Sequence, residues 1–161
     1  MSLLPDPINV LLSLQQALKD GMVVDPSELD ANYKMFYDEP FVGGKRYTFA
    51  KIINDEAQAM SIFGLEDPID GVVCYNVGYA VMESHRGRGL ALEAVSKGIE
   101  KLKNELNRTG LKSFYIEAVI DVLNIHSINV AKKLFSSNGV AMNEGFTGTP
   151  SLYFKSLICI R

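Results

Sequence analysis

The chain has 161 residues, 47% of them hydrophobic, and a formal net charge of -3. Its length and apolar content suit one compact domain, residues 1–161, with a real core, and its acidic balance argues against general nucleic-acid binding. No stretch is long and apolar enough to span a membrane, and the first residues lack the pattern of a cleaved signal, so a cytoplasmic location is the expectation.

Ile8 to Lys19 reads as a helix that Gly21 ends, and Met22 to Val24 as a short strand. Pro26 is expected to open a second helix that ends before Pro40. Phe41 to Arg46 is a glycine-containing loop. Tyr47 to Asn54 and Ala57 to Phe63 form a hairpin around Asp55-Glu56. Glu66 to Gly71 is a turn-rich connection. The apolar run Val72 to Val81 is a strand, followed by a glycine turn and a helix to about Asn107. In that helix Leu92, Val95, Ile99, Leu102 and Leu106 are spaced for one buried face. Ser113 to Ile120 is a strand. Asn124 opens a helix with Ile128, Ala131, Leu134 and Phe135 inward, stopped by Asn138-Gly139. Ser151 to Ile160 is the last strand. Helices, antiparallel strands and a strand–helix–strand–helix–strand series imply a mixed sheet with a parallel crossover at its centre. Cys74 and Cys159 lie in apolar strand-like runs and read as buried thiols rather than a disulfide or a metal pair. Two histidines are too few for a His-rich metal site.

Charge is unevenly distributed. Residues 1–44 carry seven acids and two bases, residues 45–84 six and three, and residues 85–161 six acids and eleven bases. The basic last half suits a phosphate-bearing ligand and the acidic first part a cationic co-substrate, although most single charges on such faces are simply solvated.

The segment His85-Arg86-Gly87-Arg88-Gly89-Leu90-Ala91 joins a strand to a helix. The first amides of a helix lack partners and its dipole adds partial positive charge, so the junction is a candidate anion site. Gly87 and Gly89 let the backbone curl and let a phosphate approach, and Arg86 and Arg88 add charge. Taken alone the signal is weak, because two glycines often only shape a connection. The spacing lacks the three glycines of a dinucleotide fingerprint and the Gly-Lys-Ser/Thr ending of a P-loop. A second junction follows the next strand, where Asn124 and Ser127 stand three residues apart. Either is a natural helix N-cap, which is the bland reading; the functional reading turns their side chains to a ligand lying across the sheet.

In order, Arg86-x-x-Gly89-x-Ala91 and Asn124-x-x-Ser127-Ile128-x-Val130-Ala131-x-Lys133-Leu134 resemble the GNAT superfamily of acyl-CoA N-acyltransferases. Gly89-Leu90-Ala91-Leu92-Glu93-Ala94 and Asn143-Glu144-Gly145 are most similar to the branch with ribosomal-protein N-terminal acetyltransferases. The resemblance covers residues 70–155, the expected CoA-binding core, and fades over residues 1–46, a divergent helical part. It implies an α+β fold: a mixed, mostly antiparallel sheet of six to seven strands with a central, splayed parallel pair and about four flanking helices. It implies acetyl-CoA as co-substrate, with no metal. Backbone groups of Val81 and Met82 would hold the pantetheine as an added strand. Amides from Arg86 through Gly87, Arg88, Gly89 and Leu90 to Ala91 would hold the pyrophosphate, with Arg88 and Lys132 or Lys133 near phosphates.

The implied reaction is direct attack of an amine, from a small molecule or a protein N-terminus, on the thioester in a ternary complex. Ser127 and Asn124 are the candidates to meet the CoA sulfur or pantetheine. Glu83, Tyr75, Asn76 (through water) and Glu117 are the candidate bases, and His126 is expected to point elsewhere. Two departures from the family pattern stand out. About four extra residues between Ser127 and Gly139 are expected to lengthen the helix by one turn. Ala131 replaces a tyrosine that in many members protonates the departing thiolate, so another group must take that role. The alternative reading is a non-catalytic acyl-CoA-binding or sensing module of the same fold. No nucleic-acid or membrane partner is expected, and the oligomeric state is open, a homodimer included.

Overall fold

The computed structural model describes residues 4–24, 32–142 and 150–161. Helix α1 (Pro7–Lys19) starts where the Asp6 carboxylate accepts the Ile8 amide at 3.2 Å, with Pro7 preset for the first turn. It ends at Gly21, whose φ of +97° is costly for other residues. Strands β1 (Tyr33–Asp38), β2 (Arg46–Ile53), β3 (Glu56–Ile69) and β4 (Val72–Val81) form an antiparallel meander. Helix α2 (Leu90–Asn107) crosses to β5 (Ser113–Asp121), and helix α3 (Ile125–Phe135) leads to β6 (Val140–Met142) and β7 (Ser151–Cys159). The seven-stranded sheet has the order β1-β2-β3-β4-β5-β7-β6, and only β4 and β5 run parallel.

Several expectations are corrected. The helix expected between Pro26 and Pro40 falls in its first part, residues 26–31, outside the described residues, and its described part is strand β1 over Tyr33–Asp38, so the described residues hold three α-helices. Tyr33 and Lys34 are buried in this strand by pairing with β2, an arrangement local propensity does not carry. Residues 22–24 are not a strand. The β2–β3 turn falls on Asn54-Asp55, both at positive φ as in a type I′ hairpin, one residue before the expected site. Glu66-Asp67-Pro68 is not a connection but part of β3. A bulge there sets two residues against one on β4 and accommodates the proline, and the turn itself is Asp70-Gly71. Helix α3 ends at Phe135, where Ser136 adopts a left-handed conformation, and Ser136 to Asn138 lead on to Gly139. Cys74 is a buried free thiol, but Cys159 is exposed near the end of β7.

Two cores sandwich the sheet. On one face α1 covers Ala50, Met60, Ile62 and Ala80 with Leu11 and Leu18. On the other, α2 and α3 pack Val95, Leu102, Ala131 and Phe135 on Phe49, Phe63, Phe114, Ile116 and Phe154. The face of α2 nearest the sheet is lined by small residues: Ala91, Ala94 and Gly98 are buried, whereas Leu92 and Ile99 are only half-buried.

Glu93, in the first turn of α2, ties that helix to the meander. Its carboxylate accepts from Lys51 Nζ and from the Tyr33 hydroxyl, each at 2.7 Å. The Lys51 ammonium first, and then the Tyr33 hydroxyl, hold the Glu93 carboxyl below its usual range. A carboxyl lowered in the folded state stabilises above its unfolded value of about 4.3, and loses that contribution as pH falls through the folded value. Glu93→Gln is therefore expected to lower the melting temperature at pH 7, with the gap closing below about pH 4. Because the Glu93 side chain is 40% exposed, the gap is expected to correspond to under about 1 kcal/mol. Melting curves across pH 3–7 check it, and a pH-independent gap excludes the linkage.

Candidate acyl-donor site

The central feature is where β4 and β5 part. Their parallel pairing runs only from Cys74↔Tyr115 to Asn76↔Glu117. Beyond it, Val77–Val81 and Ala118–Asp121 have no partner between them, and the gap opens a slot through the sheet. The slot is a cavity of about 320 Å³ walled by Val77, Gly78, Ala118 and Ile120, with Ala131 from α3. A larger groove of about 790 Å³ lies alongside, between the glycine turn and α3. Asp6, Tyr79, Ser127 and Val130 line both cavities and so mark their junction.

The exposed edge of β4 faces this slot. The Met82 amide donates to the Gln58 carbonyl at 2.8 Å, so even-numbered residues at this end turn their backbone groups toward β3. Tyr79 and Val81 therefore turn theirs toward the slot, free to pair with an extended ligand. Met82 does not share that freedom, since its carbonyl also accepts from the His85 amide at 2.9 Å. The backbone contact expected at Val81 and Met82 is thus available at Val81 and Tyr79.

The glycine turn ends the groove. Gly87 and Gly89 have φ of +79° and +72°, and an added Cβ at either would meet nothing within 4 Å. Gly89 is the N-cap of α2 and among the described residues no side chain caps that helix, so the amides of Leu90, Ala91 and Leu92 are open to a ligand. Such a free terminus fits a phosphate group. His85, Arg86, Gly87, Gly89, Leu90 and Ala91 line the groove, and Lys133 faces them from α3. Arg88 lies outside the lining; its guanidinium donates to His85 Nδ1 at 2.7 Å. Arginine can only donate, so His85 carries its hydrogen on Nε2, where it meets the Glu56 carboxylate. This Glu56–His85–Arg88 chain fastens the glycine turn to the β2–β3 hairpin. Lys132 is exposed and lines neither cavity.

At the second junction Asn124 caps α3, its Oδ1 accepting the Ser127 amide at 3.2 Å. The cap reading therefore holds for Asn124, which also lines the slot. The Ser127 hydroxyl lies 2.7 Å from the Tyr79 hydroxyl. His126, expected to point elsewhere, forms part of the groove wall.

The four candidate bases separate by position. Glu83 is exposed at the start of the short 3-10 turn Glu83–His85 and lines neither cavity. Tyr75 is buried among aromatic rings, and that burial pushes its hydroxyl far above its ordinary value. Asn76 and Glu117 form the last β4–β5 pair, on the face opposite α2 and α3, at the closed end of the slot. Glu117 Oε2 accepts from the Tyr153 hydroxyl at 2.6 Å. Burial, then the neighbouring Glu117, pushes the Cys74 thiol up to about 12, so it is inert as a nucleophile. Among the described residues no three His, Cys, Asp or Glu side chains converge to hold a metal ion, and no helix is long and apolar enough to cross a membrane.

Sequence reasoning missed Tyr79, His85 and Glu56. The alternation Tyr75, Val77, Tyr79, Val81 along β4 put Tyr79 on the α3 side, but its pairing with Ser127 spans 48 residues and is purely tertiary.

Residues 15–134 match the family model described as an acetyltransferase (GNAT) domain. No curated protein sequence matches the chain. Among solved structures, NAA60 of Arabidopsis thaliana, in complex with acetyl-CoA, is similar at a TM-score of 0.58 and 16% identity, over 96% of this chain and 97% of that one. A GNAT-family acetyltransferase from Streptococcus pneumoniae gives 0.54 and 10%, over 96% of each. RimL, a ribosomal L7/L12 alpha-N-protein acetyltransferase in complex with coenzyme A, gives 0.51 and 19%, over 74% of this chain and 66% of its own length. At these identities the likenesses concern the fold. The family match begins earlier than residue 70, and Asn143-Glu144-Gly145 lie outside both the match and the described residues.

Proposed function

Because the chain belongs to the GNAT acetyltransferase family, we propose that it transfers an acetyl group from acetyl-CoA to an amine, the amine attacking the thioester directly. The observation that carries this reading is the slot where β4 and β5 part, open beside the uncapped glycine turn. The open amides of Leu90 to Leu92, with Arg86, would hold the pyrophosphate, and the free backbone edge of Tyr79 and Val81 would hold the pantetheine arm. Bound acetyl-CoA supplies the activated acetyl group. The acceptor would enter from the opposite face, where the Glu117 carboxylate would take the proton of the attacking amine through a water that Asn76 helps to orient. Positioning two substrates across one slot supplies much of the acceleration.

Two measurements on the full chain test this. Acetyl-CoA at about 100 times its Kd is expected to add about 2.7 kcal/mol of stability, a rise in melting temperature of about 5 °C or more. Free thiol is expected to be released with at least one member of a panel of amines and peptide N-termini. No thermal shift at millimolar acetyl-CoA sinks the coenzyme site. Binding without turnover on any amine favours the non-catalytic acyl-CoA-binding reading, which Ala131 in place of the usual tyrosine would suit.

A further inference from the structure

The Tyr79–Ser127 pair stands at the junction of groove and slot. We propose that Tyr79 is a catalytic residue that donates its phenolic hydrogen bond to the departing thiolate sulfur, with Ser127 and Asn124 as positioning residues. This rests on the acetyltransferase reading above.

Three observations carry it. Tyr79 and Ser127 each line both cavities, so a group passing from the groove into the slot passes these two side-chain-bearing positions. The two oxygens are 2.7 Å apart and half-buried, and either can donate to the other. With Ser127 donating to the Tyr79 oxygen, the phenolic hydrogen is left free for a third atom. Ser127 is itself fixed, since the Asn124 side chain accepts its amide at 3.2 Å. The sequence Asn124, Ser127, Tyr79 is thus a chain of orientation that ends on a free donor at the junction.

Magnitudes decide what that donor does. Burial pushes the Tyr79 hydroxyl above its ordinary value of about 10, the bond to Ser127 opposing in part. An alkyl thiol such as cysteine titrates near about 8.5. Full transfer of the phenolic proton to a thiolate therefore runs uphill. Tyr79 keeps its proton and stabilises the sulfur by a charge-assisted hydrogen bond. In the balanced step, the amine nitrogen bonds to the acetyl carbon and the carbon–sulfur pair leaves with sulfur. The nitrogen loses a proton to water and the thiolate takes one from water.

A donor to the thiolate must lower the titration point of the bound thiol. By linkage, coenzyme A should then bind more tightly as pH rises through that range, while the desulfo analogue should not. The experiment is calorimetry with coenzyme A and desulfo-coenzyme A between pH 7 and 9.5. In the unsubstituted chain, the affinity ratio of the two is expected to rise about tenfold, the equivalent of one unit in the titration point. In Tyr79→Phe the ratio is expected to stay flat, with affinity at pH 7 unchanged within about twofold, and kcat is expected to fall about tenfold while KM for acetyl-CoA holds. Ser127→Ala keeps Tyr79 but removes its orienting donor and is expected to show a reduced rise, which keeps the test alive should Tyr79→Phe fold poorly. A flat ratio in the unsubstituted chain, or an undiminished rise in Tyr79→Phe, overturns the role of Tyr79. Failure of the unsubstituted chain to bind either coenzyme at any pH overturns the acetyltransferase reading instead.

Discussion

Gly89→Glu is expected to weaken coenzyme A binding by a factor of about 1,000, to the point of abolition in a calorimetric titration. Three effects act at that position. Gly89 has φ of +72°, a conformation that costs other residues about 1–2 kcal/mol. That strain falls on folding more than on binding. Second, the glutamate side chain would extend from the N-cap toward the amides of Leu90 to Leu92, which no side chain now occupies, and compete for them. Third, its charge would stand in the proposed phosphate site. At about 4 Å and an effective dielectric constant of about 20, one like-charge pair is worth about 4 kcal/mol, and this dominates. Two controls separate the effects. Gly89→Ala adds only a Cβ, which meets nothing within 4 Å, so it should lose stability and little affinity. Gly89→Asn tolerates the left-handed conformation and can cap the helix without charge, so it should fall between the two. If Gly89→Glu bound coenzyme A as the unsubstituted chain does, the glycine turn would not be the phosphate site.

The strand, turn and helix around that site were legible because each speaks in local chemistry. Val72 to Val81 is an apolar run, Gly87 and Gly89 punctuate, and Leu90 begins a helical period. That apolar run is strand β4 from its first residue to its last. Strand β1 was not legible, because Tyr33–Asp38 mixes aromatic and charged residues between prolines and is held by the β2 ladder, a long-range partner. The same holds for β6, three residues that pair with β7 at the end of the sheet as described. Polar Glu66-Asp67-Pro68 read as a connection because a bulge is invisible to alternation.

At the site the division is similar. Asn124 and Ser127 announced themselves by spacing, and the alternatives of cap and ligand contact turn out to be compatible: Asn124 caps the helix, and the cap is what fixes Ser127 beside Tyr79. Tyr79 and the Glu56–His85–Arg88 chain arise only when strands and turns far apart in sequence meet. Motif reasoning finds the glycine turn proposed as a backbone cradle, which is local, and misses side chains that reach it from elsewhere in the fold.

Gly98→Leu is expected to destabilise the fold by about 3 kcal/mol or more, and Gly98→Ala by about 1–3 kcal/mol, although alanine favours a helix by about 1 kcal/mol over glycine. The reason is the close approach of α2 to β3. A Cβ on Gly98 would lie 2.7 Å from Phe63 Cε2 and would also overlap Ser61 Oγ. Neither neighbour can give way freely. Ser61 is fully buried and donates to the Ala94 carbonyl at 2.8 Å, and Phe63 is fully buried against Phe49. Overpacking costs about 1–3 kcal/mol, and a displaced buried hydrogen bond adds about 1, so the sterics outweigh the helix preference. For a chain of this size Gly98→Ala should melt lower by a few degrees, while Ser96→Ala on the exposed side of the same helix should be neutral or slightly stabilising. The effect should also reach the site. The amides of Leu90 to Leu92 belong to the helix that Gly98 seats on the sheet, so lifting α2 displaces the proposed phosphate cradle as a body. In folded Gly98→Ala, coenzyme A affinity is expected to fall although no contacting residue has changed. A variant that is as stable as the unsubstituted chain, or that is destabilised yet binds coenzyme A unchanged, would show that the close seating of α2 does not set the geometry of its N-terminus.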